Sequence, residues 1–271
     1  MNISASLVLF HNDPEEYSLA IQSFLDGSDG ILYVVDNSVT PLMHELFLHP
    51  RVRYLFAGKN LGFGSAHNRA LAMIAQTSDF HLFLNPDVVF DASVLPALVR
   101  HFDRSADVGV LMPRIEYPNG DLQRLCKLLP SPLDLILRRF IPSHAIRERI
   151  NQRYELHALP QDRPSNVPTL SGCFLLVRMN LLQKLGGFDE RYFMYMEDVD
   201  LVRRIGDIAK VVYDPSVKVI HSYGKGSYKN KILLRYHLVS AIQYFFKWGW
   251  IFDKTRHQRN KLMLDALHKN C

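Results

Sequence analysis

Cysteine is scarce. Only Cys126, Cys173 and Cys271 occur, odd in number and far apart, so neither a disulfide framework nor a zinc-type spacing can be built from them. A reducing compartment is the expectation. Long uncharged apolar runs are missing too: none reaches the roughly 18 residues that a spanning helix needs. Met1 to Phe10 has no basic leader and only a short apolar run, which does not read as a signal peptide. A cytoplasmic location is therefore expected. There is no internal repeat and no low-complexity segment. Nor does a glycine-rich, Lys/Arg-bearing loop follow the first strand pattern. His11-Asn12-Asp13-Pro14 stands where a nucleotidyltransferase would carry its phosphate loop.

What is present is a chain of 271 residues, 48% hydrophobic, which suits one large domain or one domain with an appendage. The net charge of +5 is uneven. Lys225 to Cys271 holds ten Lys/Arg against two acids, a balance of +8, while the preceding 224 residues carry 22 basic and 25 acidic side chains, a balance of −3. A basic tail of this kind suits a phosphate-rich partner: a membrane surface, a lipid-linked substrate or nucleic acid. No nucleic-acid-binding motif accompanies it, so a nucleic-acid partner is not expected.

Short apolar segments alternate with helical patterns through the first 112 residues. Strands are predicted at Ser4 to Phe10, Ile31 to Val35, Val52 to Phe56, Phe80 to Leu84 and Val108 to Met112. Helices are predicted from Pro14, with Asp13 as N-cap, and over Pro41 to Leu48, Ser65 to Ala75 and Val94 to Phe102. The alternation implies a mostly parallel α/β sheet covered on both faces. Ligands of such sheets sit beyond the carboxyl ends of the strands. Those ends carry His11 and Asn12, Asp36 and Asn37, Asn60, then Asn85 and Asp87. Each alone is an ordinary loop residue; four such ends in succession make a binding rim.

From Glu116 to Pro168 the pattern degrades, apart from a hairpin turn at Pro118 to Asp121 and helical stretches at Ser131 to Arg139 and Ser143 to Tyr154. This region reads as an acceptor-side insertion. Strand character returns at Thr169 to Val177, then at Lys210 to Tyr213 and Val217 to Ile220, which lead into His221. Lys229 to Phe246 is a long helix with Leu234, Leu238, Ala241, Ile242 and Phe245 on one face, and Asp253 to Lys269 a basic final helix.

Between these lies the stretch on which the chain is organised. Glu197, Asp198 and Asp200 fall within four positions, after a Gly186-Gly187 turn and the rings of Tyr192, Phe193 and Tyr195. The plain reading is a helix start with acids favoured by its dipole. The chemical reading is a carboxylate that rings desolvate into a usable base. Asp200 and Arg204, spaced i, i+4, are expected to form a structural ion pair that holds the acidic turn. Asn85-Pro86-Asp87 is either an Asn-Pro turn or a strand-end carboxylate placed to hold a divalent cation. His221 is either a metal or diphosphate ligand or a satisfied structural histidine. Gly62-Phe63-Gly64 resembles a dinucleotide fingerprint, but His67 replaces the third glycine and the strand before it is not the first. The tail aromatics, Trp248 and Trp250 among them, either lie at an anionic membrane or pack on the core with solvated lysines around them.

The order of these pieces carries a resemblance. Phe10-His11-Asn12, Val35-Asp36-Asn37-Ser38, Asn60 through Asn68, Leu84-Asn85-Pro86-Asp87, Ser171-Gly172-Cys173 and Gly186-Gly187-Phe188-Asp189-Glu190 through Glu197-Asp198-Val199-Asp200 to Arg204 together resemble the inverting glycosyltransferases of family 2, with the GT-A fold, and most of all their rhamnosyltransferase-like branch. The resemblance covers residues 3 to 250. It implies a GT-A domain over 1–224, with a nucleotide-sugar half (1–112) and an acceptor and catalytic half (113–224), followed by a basic amphipathic helical tail (225–271). It implies a nucleotide-sugar donor: Asp36 on its pyrimidine base, Phe10, Asn12, Asn37, Asn60, Gly62 and Asn85 around it, and Asp87 on a divalent cation, Mg²⁺ or Mn²⁺, with His221 as a further metal or diphosphate ligand. Asp198 is the implied catalytic base; Gly172, Tyr195 and Glu197 form the acceptor-side wall. Asn85 replaces the first aspartate of the family's common Asp-x-Asp pair, which leaves one charged ligand fewer. The implied acceptor is an oligosaccharide or lipid-linked glycan at the inner face of the cytoplasmic membrane, with the tail as a peripheral contact. The donor implied is dTDP-rhamnose, with a UDP-hexose as the alternative. A non-catalytic nucleotide-sugar or glycolipid-binding protein stays open as the more remote reading.

Overall fold

A computed structural model describes residues 2–74, 78–135, 141–222 and 231–268. Tyr223, Gly224, the start of the basic tail at 225–230, Ala75 and the end of the expected 131–139 helix lie outside these residues.

The parallel half forms as the periodicity predicts. β1 (Ile3–Leu9), β2 (Ile31–Asp36), β3 (Val52–Phe56) and β4 (Phe80–Leu84) are apolar enough to be covered on both faces, and they pair in parallel as β3-β2-β1-β4. Parallel pairing needs crossovers. These are α1 (Pro14–Gly27), a short 3₁₀ turn (Glu45–Leu48) and α2 (Phe63–Leu71). The helix expected over Pro41 to Leu48 is only that single turn; Asp36 takes the Leu42 amide instead, which folds the segment into a loop.

Beyond β4 the sheet is mixed. β8 (Phe174–Arg178) runs antiparallel between β4 and β6 (Val108–Glu116), and β9 (Lys210–His221) runs parallel to β6. β5 (Val88–Phe90), too short to show in the pattern, and β7 (Ser165–Asn166) both pair antiparallel with β9. The two strands expected at 210–213 and 217–220 are one twelve-residue strand, with its register against β6 shifted between Pro113 and Arg114. α3 (Val94–Arg104), α4 (Pro132–Leu135), α5 (His144–Tyr154), α6 (Met179–Leu185) and α7 (Glu197–Gly206) complete the domain. α8 (Lys231–Trp248) and α9 (Lys254–His268) follow.

The tail helices pack on the core. Arg203 of α7, 2% exposed, donates to both carboxylate oxygens of Asp253 at 2.7 Å, and Arg259 donates to the Arg203 carbonyl at 2.9 Å. Arg256, 8% exposed, donates to the carbonyls of Pro130, Gly249, Trp250 and Ile251. Much of the tail's positive charge therefore serves the fold.

Under β1 and β4 lies a buried polar chain. Ser4 Oγ is 2.9 Å from His81 Nδ1, His81 Nε2 is 2.8 Å from Ser6 Oγ, and Ser6 Oγ is 2.6 Å from His67 Nδ1. His67 Nε2 has no polar partner and is enclosed by the rings of Phe63, Phe83 and Phe188. An N–H at that atom meets ring faces better than a lone pair does. Ser4, His81, Ser6 and His67 thus form one hydrogen-bonded chain in which both imidazoles are neutral. Burial holds His67 down at about 3 and, with His67 beside it, holds His81 well below its ordinary value. Unfolding releases both rings to an ordinary pKa near 6.5. The stability they contribute is therefore full above about pH 6.5 and falls with acidification, by about 1.4 kcal/mol per pH unit for each ring. Urea melts between pH 7 and 5 are expected to show this slope, and His67→Phe is expected to remove about one proton's share of it. An unchanged slope in that variant would place the pH dependence elsewhere.

Candidate active site

The carboxyl ends of the parallel strands meet the acidic turn at one cavity of about 530 Å³. Its walls include Asn12, Asn85, Asp87, Gly172, Tyr195, Glu197, Asp198 and His221. Eight of the expected site residues thus come together. Phe10, Asp36, Asn37, Asn60 and Gly62 do not line it.

The residues that stay outside build the loops behind it. Asp36 is fully buried. Its carboxylate accepts from the Ser38 amide at 2.8 Å, the Leu42 amide at 2.9 Å and the Tyr54 hydroxyl. Burial pushes its pKa up, but these bonds outweigh it and hold the carboxyl below the usual range. Asp36 here shapes the 36–42 loop. Asn37 Nδ2 donates to the Gly62 carbonyl at 3.0 Å, and Asn60 Oδ1 accepts from the Gly62 amide at 2.9 Å. Gly62 has φ +83°, and a Cβ there would lie 2.1 Å from the Phe193 carbonyl oxygen. Only glycine lets this loop touch the acidic turn, where Phe63 N donates to that same oxygen at 3.0 Å. Phe10 is half-exposed at the rim.

The turn itself is strained. Tyr195 and Met196 both sit at φ +69°, a region that costs a non-glycine residue about 1–3 kcal/mol. It is clamped on two sides. Asn68 of α2 donates to the Phe188 carbonyl at 2.9 Å and accepts the Phe188 amide at 2.8 Å. From α8, Ser240 Oγ donates to the Met194 carbonyl at 2.8 Å, Tyr236 packs on Phe193 and His237 on Tyr195. The second left-handed residue, Met196, caps α7 and sends Glu197 and Asp198 out side by side.

The two acids are unlike. Asp198, half-buried, accepts from the Gly172 amide at 2.8 Å and from the Val199 amide at 2.8 Å. A Cβ on residue 172 would press to 3.0 Å from that of Asp198, so the glycine permits this approach. Glu197 is buried, with Oε2 lacking a partner. Burial raises the pKa of both, and the neighbouring Asp198 raises Glu197 further. Two such acids do not both ionise easily. Backbone amides lower both, but Glu197 also bears the charge of Asp198 while Lys127 favours the charged Asp198, so Asp198 ionises first and Glu197 keeps the proton.

Across the cavity, Asp87 Oδ1 lies 3.2 Å from His221 Nε2. Carboxylate and imidazole are both donors for divalent cations, so the pair fits one. No group of three or more His, Cys, Asp or Glu gathers among the described residues, so a bound donor would have to supply further ligands. Asn85 and Gly172 are brought beside this pair by the Asn85 amide, which donates to the Cys173 carbonyl at 2.9 Å. Cys173 lies between the two carboxylate sites, and burial chiefly, with Asp87 and Asp198 adding to it, pushes its thiol up to about 12.

Sequence reasoning missed Gln123, Lys127, Tyr154 and His237. The last three line the cavity, and Gln123 backs His221. They come from the irregular 116–168 segment and from α8, where no periodicity singles them out. Of the two readings of Trp248, the packed one holds: its Nε1 donates to Asp200 Oδ1 at 2.7 Å and its ring covers the Arg203 guanidinium at 4.0 Å.

A parallel nucleotide-binding half joined to a mixed half that carries an acidic turn is the architecture of the GT-A glycosyltransferases. The model of glycosyl transferase family 2 matches residues 8–186, and the chain belongs to that family. It is 37% identical over 188 residues to the N-acetylglucosaminyl-diphospho-decaprenol L-rhamnosyltransferase of Mycobacterium tuberculosis, a match covering 64% of this chain and 59% of that protein. The chain thus spans about three fifths of that relative's length. It is 26% identical over 251 residues to the rhamnosyltransferase WbbL of Escherichia coli K12, covering 88% of this chain and 91% of that protein. Among solved structures, the mannosyltransferase PcManGT of Pyrobaculum calidifontis, in complex with GDP-Man and Mn²⁺, shares the fold with a TM-score of 0.55 at 15% identity, over 89% of this chain and 64% of that one.

Asp200 stands behind the turn, fully buried, and accepts from Arg204 Nε at 2.8 Å, Trp248 Nε1 at 2.7 Å and Lys247 Nζ at 2.7 Å. Removing one partner of a buried pair leaves the others uncompensated, at a cost of about 3–5 kcal/mol. Asp200→Asn is expected to lower the melting temperature steeply, while turnover per folded molecule at low temperature falls much less. A well-folded variant that has lost turnover alone would refute the structural role.

Proposed function

We propose that the chain is an inverting glycosyltransferase that moves a sugar from a nucleoside-diphosphate donor to an acceptor hydroxyl. The observation that carries this reading is the convergence of Asp198 and the Asp87–His221 pair on one cavity. The acceptor oxygen attacks the anomeric carbon, the bond from that carbon to the diphosphate breaks, and the hydroxyl proton passes to Asp198. Asp87 and His221 would hold the divalent cation, which when bound offsets charge on the departing diphosphate. Tyr195 and the rings beside it exclude water, which would otherwise take the sugar.

L-Rhamnose from dTDP-rhamnose is the donor we favour, because two relatives are named as rhamnosyltransferases. A UDP-hexose is the second choice, with the same residues in the same roles. A lipid-linked acceptor follows from the first relative's name.

Such an acceptor would bring the enzyme to the inner face of the cytoplasmic membrane. No helix of the described residues is long and apolar enough to cross one. α8 instead has two faces. One meets the site, with His237 lining the cavity and Ser240 holding the Met194 carbonyl; the other exposes Ile232, Arg235, Val239, Ile242 and Phe246 at helical spacing, and Ile251 and Phe252 continue it. Ile242, expected on the inner face, belongs to this outer stripe. Phe246 is 76% and Phe252 94% exposed, with Lys231, Arg235 and Lys254 exposed nearby. This stripe, with its basic flank, suits an anionic bilayer and takes the place of Trp248 in that contact.

Two measurements test these readings. Purified protein with Mg²⁺ or Mn²⁺ is expected to release nucleoside diphosphate from one member of a panel of dTDP-rhamnose, UDP-galactose, UDP-glucose and UDP-N-acetylglucosamine, in the presence of a lipid-diphosphate sugar. Asp198→Asn is expected to lose at least about 100-fold in rate while still binding the free nucleotide. Binding without turnover in the wild type would favour a non-catalytic protein. In flotation with phosphatidylglycerol vesicles, the protein is expected to partition to lipid, and Phe246→Ser/Phe252→Ser to reduce this at least about tenfold. No partitioning, or a salt-insensitive dimer through the same stripe, would refute the membrane contact.

A further inference from the structure

Gln123 follows β6, in the segment that reads from sequence as an insertion. It is 4% exposed. Both ends of its amide bind one residue. Nε2 donates to the His221 carbonyl at 2.6 Å, and Oε1 lies 2.9 Å from His221 Nδ1. A backbone carbonyl only accepts, so the amide nitrogen must face it, and this sets which way the amide points. The amide oxygen then faces Nδ1. Two acceptors do not meet at that distance, so Nδ1 carries a hydrogen. In the neutral ring Nε2 is then the lone-pair nitrogen, and it is Nε2 that lies 3.2 Å from Asp87 Oδ1.

The alternative tautomer shows what the amide prevents. With the hydrogen on Nε2, His221 would donate to Asp87 across the same gap. The two would satisfy each other and close the seat, which is the structural histidine that the sequence also allowed. A lone pair and a carboxylate held face to face are poor neighbours unless a cation, or a proton, lies between them.

We propose that Gln123 is a positioning residue: it fixes the tautomer and orientation of His221, and so keeps Nε2 and Asp87 as a two-ligand seat for a divalent cation. This rests on the metal reading above and adds the residue that makes the seat usable. It also accounts for a site with so few charged ligands. Asn85 stands where a second carboxylate could stand, so the orientation of the one imidazole matters more than in a site with ligands to spare. Outer partners of ligating histidines commonly act this way.

The test is Mn²⁺ binding, followed by electron paramagnetic resonance with saturating dTDP and, in parallel, UDP. Wild type, Asp87→Asn, Gln123→Leu and Gln123→Glu are compared, with thermal melts of each. Gln123→Leu, which presents no acceptor to Nδ1, is expected to weaken Mn²⁺ by about 10- to 100-fold while metal-free nucleotide binding holds. Gln123→Glu keeps an acceptor facing Nδ1 and is expected to retain most of the affinity, although it forfeits the bond to the His221 carbonyl. Wild-type affinity in Gln123→Leu would overturn the inference. So would equal losses in both variants, since that is what a merely structural glutamine gives. If the wild type binds no Mn²⁺, or Asp87→Asn binds it as well as wild type, the metal reading itself fails and takes this inference with it.

Discussion

A carboxylate removed from water must be met by donors, and in this chain the buried Asp200 is met by three. Arg204 comes from its own helix, Lys247 and Trp248 from the end of α8. The result joins the C-terminal helices to the back of the acidic turn. Arg203, one turn along, extends the same joint to Asp253 and is roofed by the Trp248 ring. Such a joint is not needed to hold a helix. It is needed to hold Tyr195 and Met196, whose left-handed backbone would relax if either side let go.

The other side is held by glycine and asparagine. Gly62 and Gly172 each stand where a side chain would collide, one with the Phe193 carbonyl and one with Asp198. Gly187, with φ +71°, would collide through a Cβ with Asn68 Oδ1 at 2.4 Å, the same amide that brackets Phe188. Two of these approaches, at Gly62 and Gly187, hold the acidic segment against the loop and helix that follow β3, alongside the pairing of β4 with β8, and the third sets Gly172 against Asp198. The consequence is electrostatic. The approach at Gly172 delivers an amide to Asp198, whereas Glu197 bears the added charge of Asp198 beside it, and that difference sets the two acids apart.

Strand ends and acid clusters are local signals, so Asp87, Glu197, Asp198 and the Asp200–Arg204 pair were legible in the sequence. So were four parallel strands. Sheet order was not: nothing in Phe174–Arg178 says that it inserts antiparallel between β4 and β6, because an apolar run fits any buried neighbour. Gln123 was invisible for a related reason. It lies 98 positions from His221, and a single polar residue in an irregular segment carries no period to mark it. Asp36 shows the converse. Its place at a strand end was legible, but which donors would claim its oxygens depended on a loop fold that the helical pattern of residues 41–48 misrepresents.

The tail illustrates how one composition can satisfy two readings at once. From sequence, its lysines, arginines and rings belonged either to a bilayer or to the core. In the fold they divide by position. Arg256, Arg259, Lys247 and Trp248 turn inward and are consumed by carbonyls and carboxylates, whereas Phe246, Ile251 and Phe252 are left outside. The inward set braces the acidic turn, and Phe246 of the outward set shares α8 with Lys247 and Trp248, while Ile251 and Phe252 lie in the connection to α9. A rigid helix cannot reposition one face without the other. A contact on the outer face of α8 would therefore also bear on His237 and Tyr195, which line the cavity from beneath it.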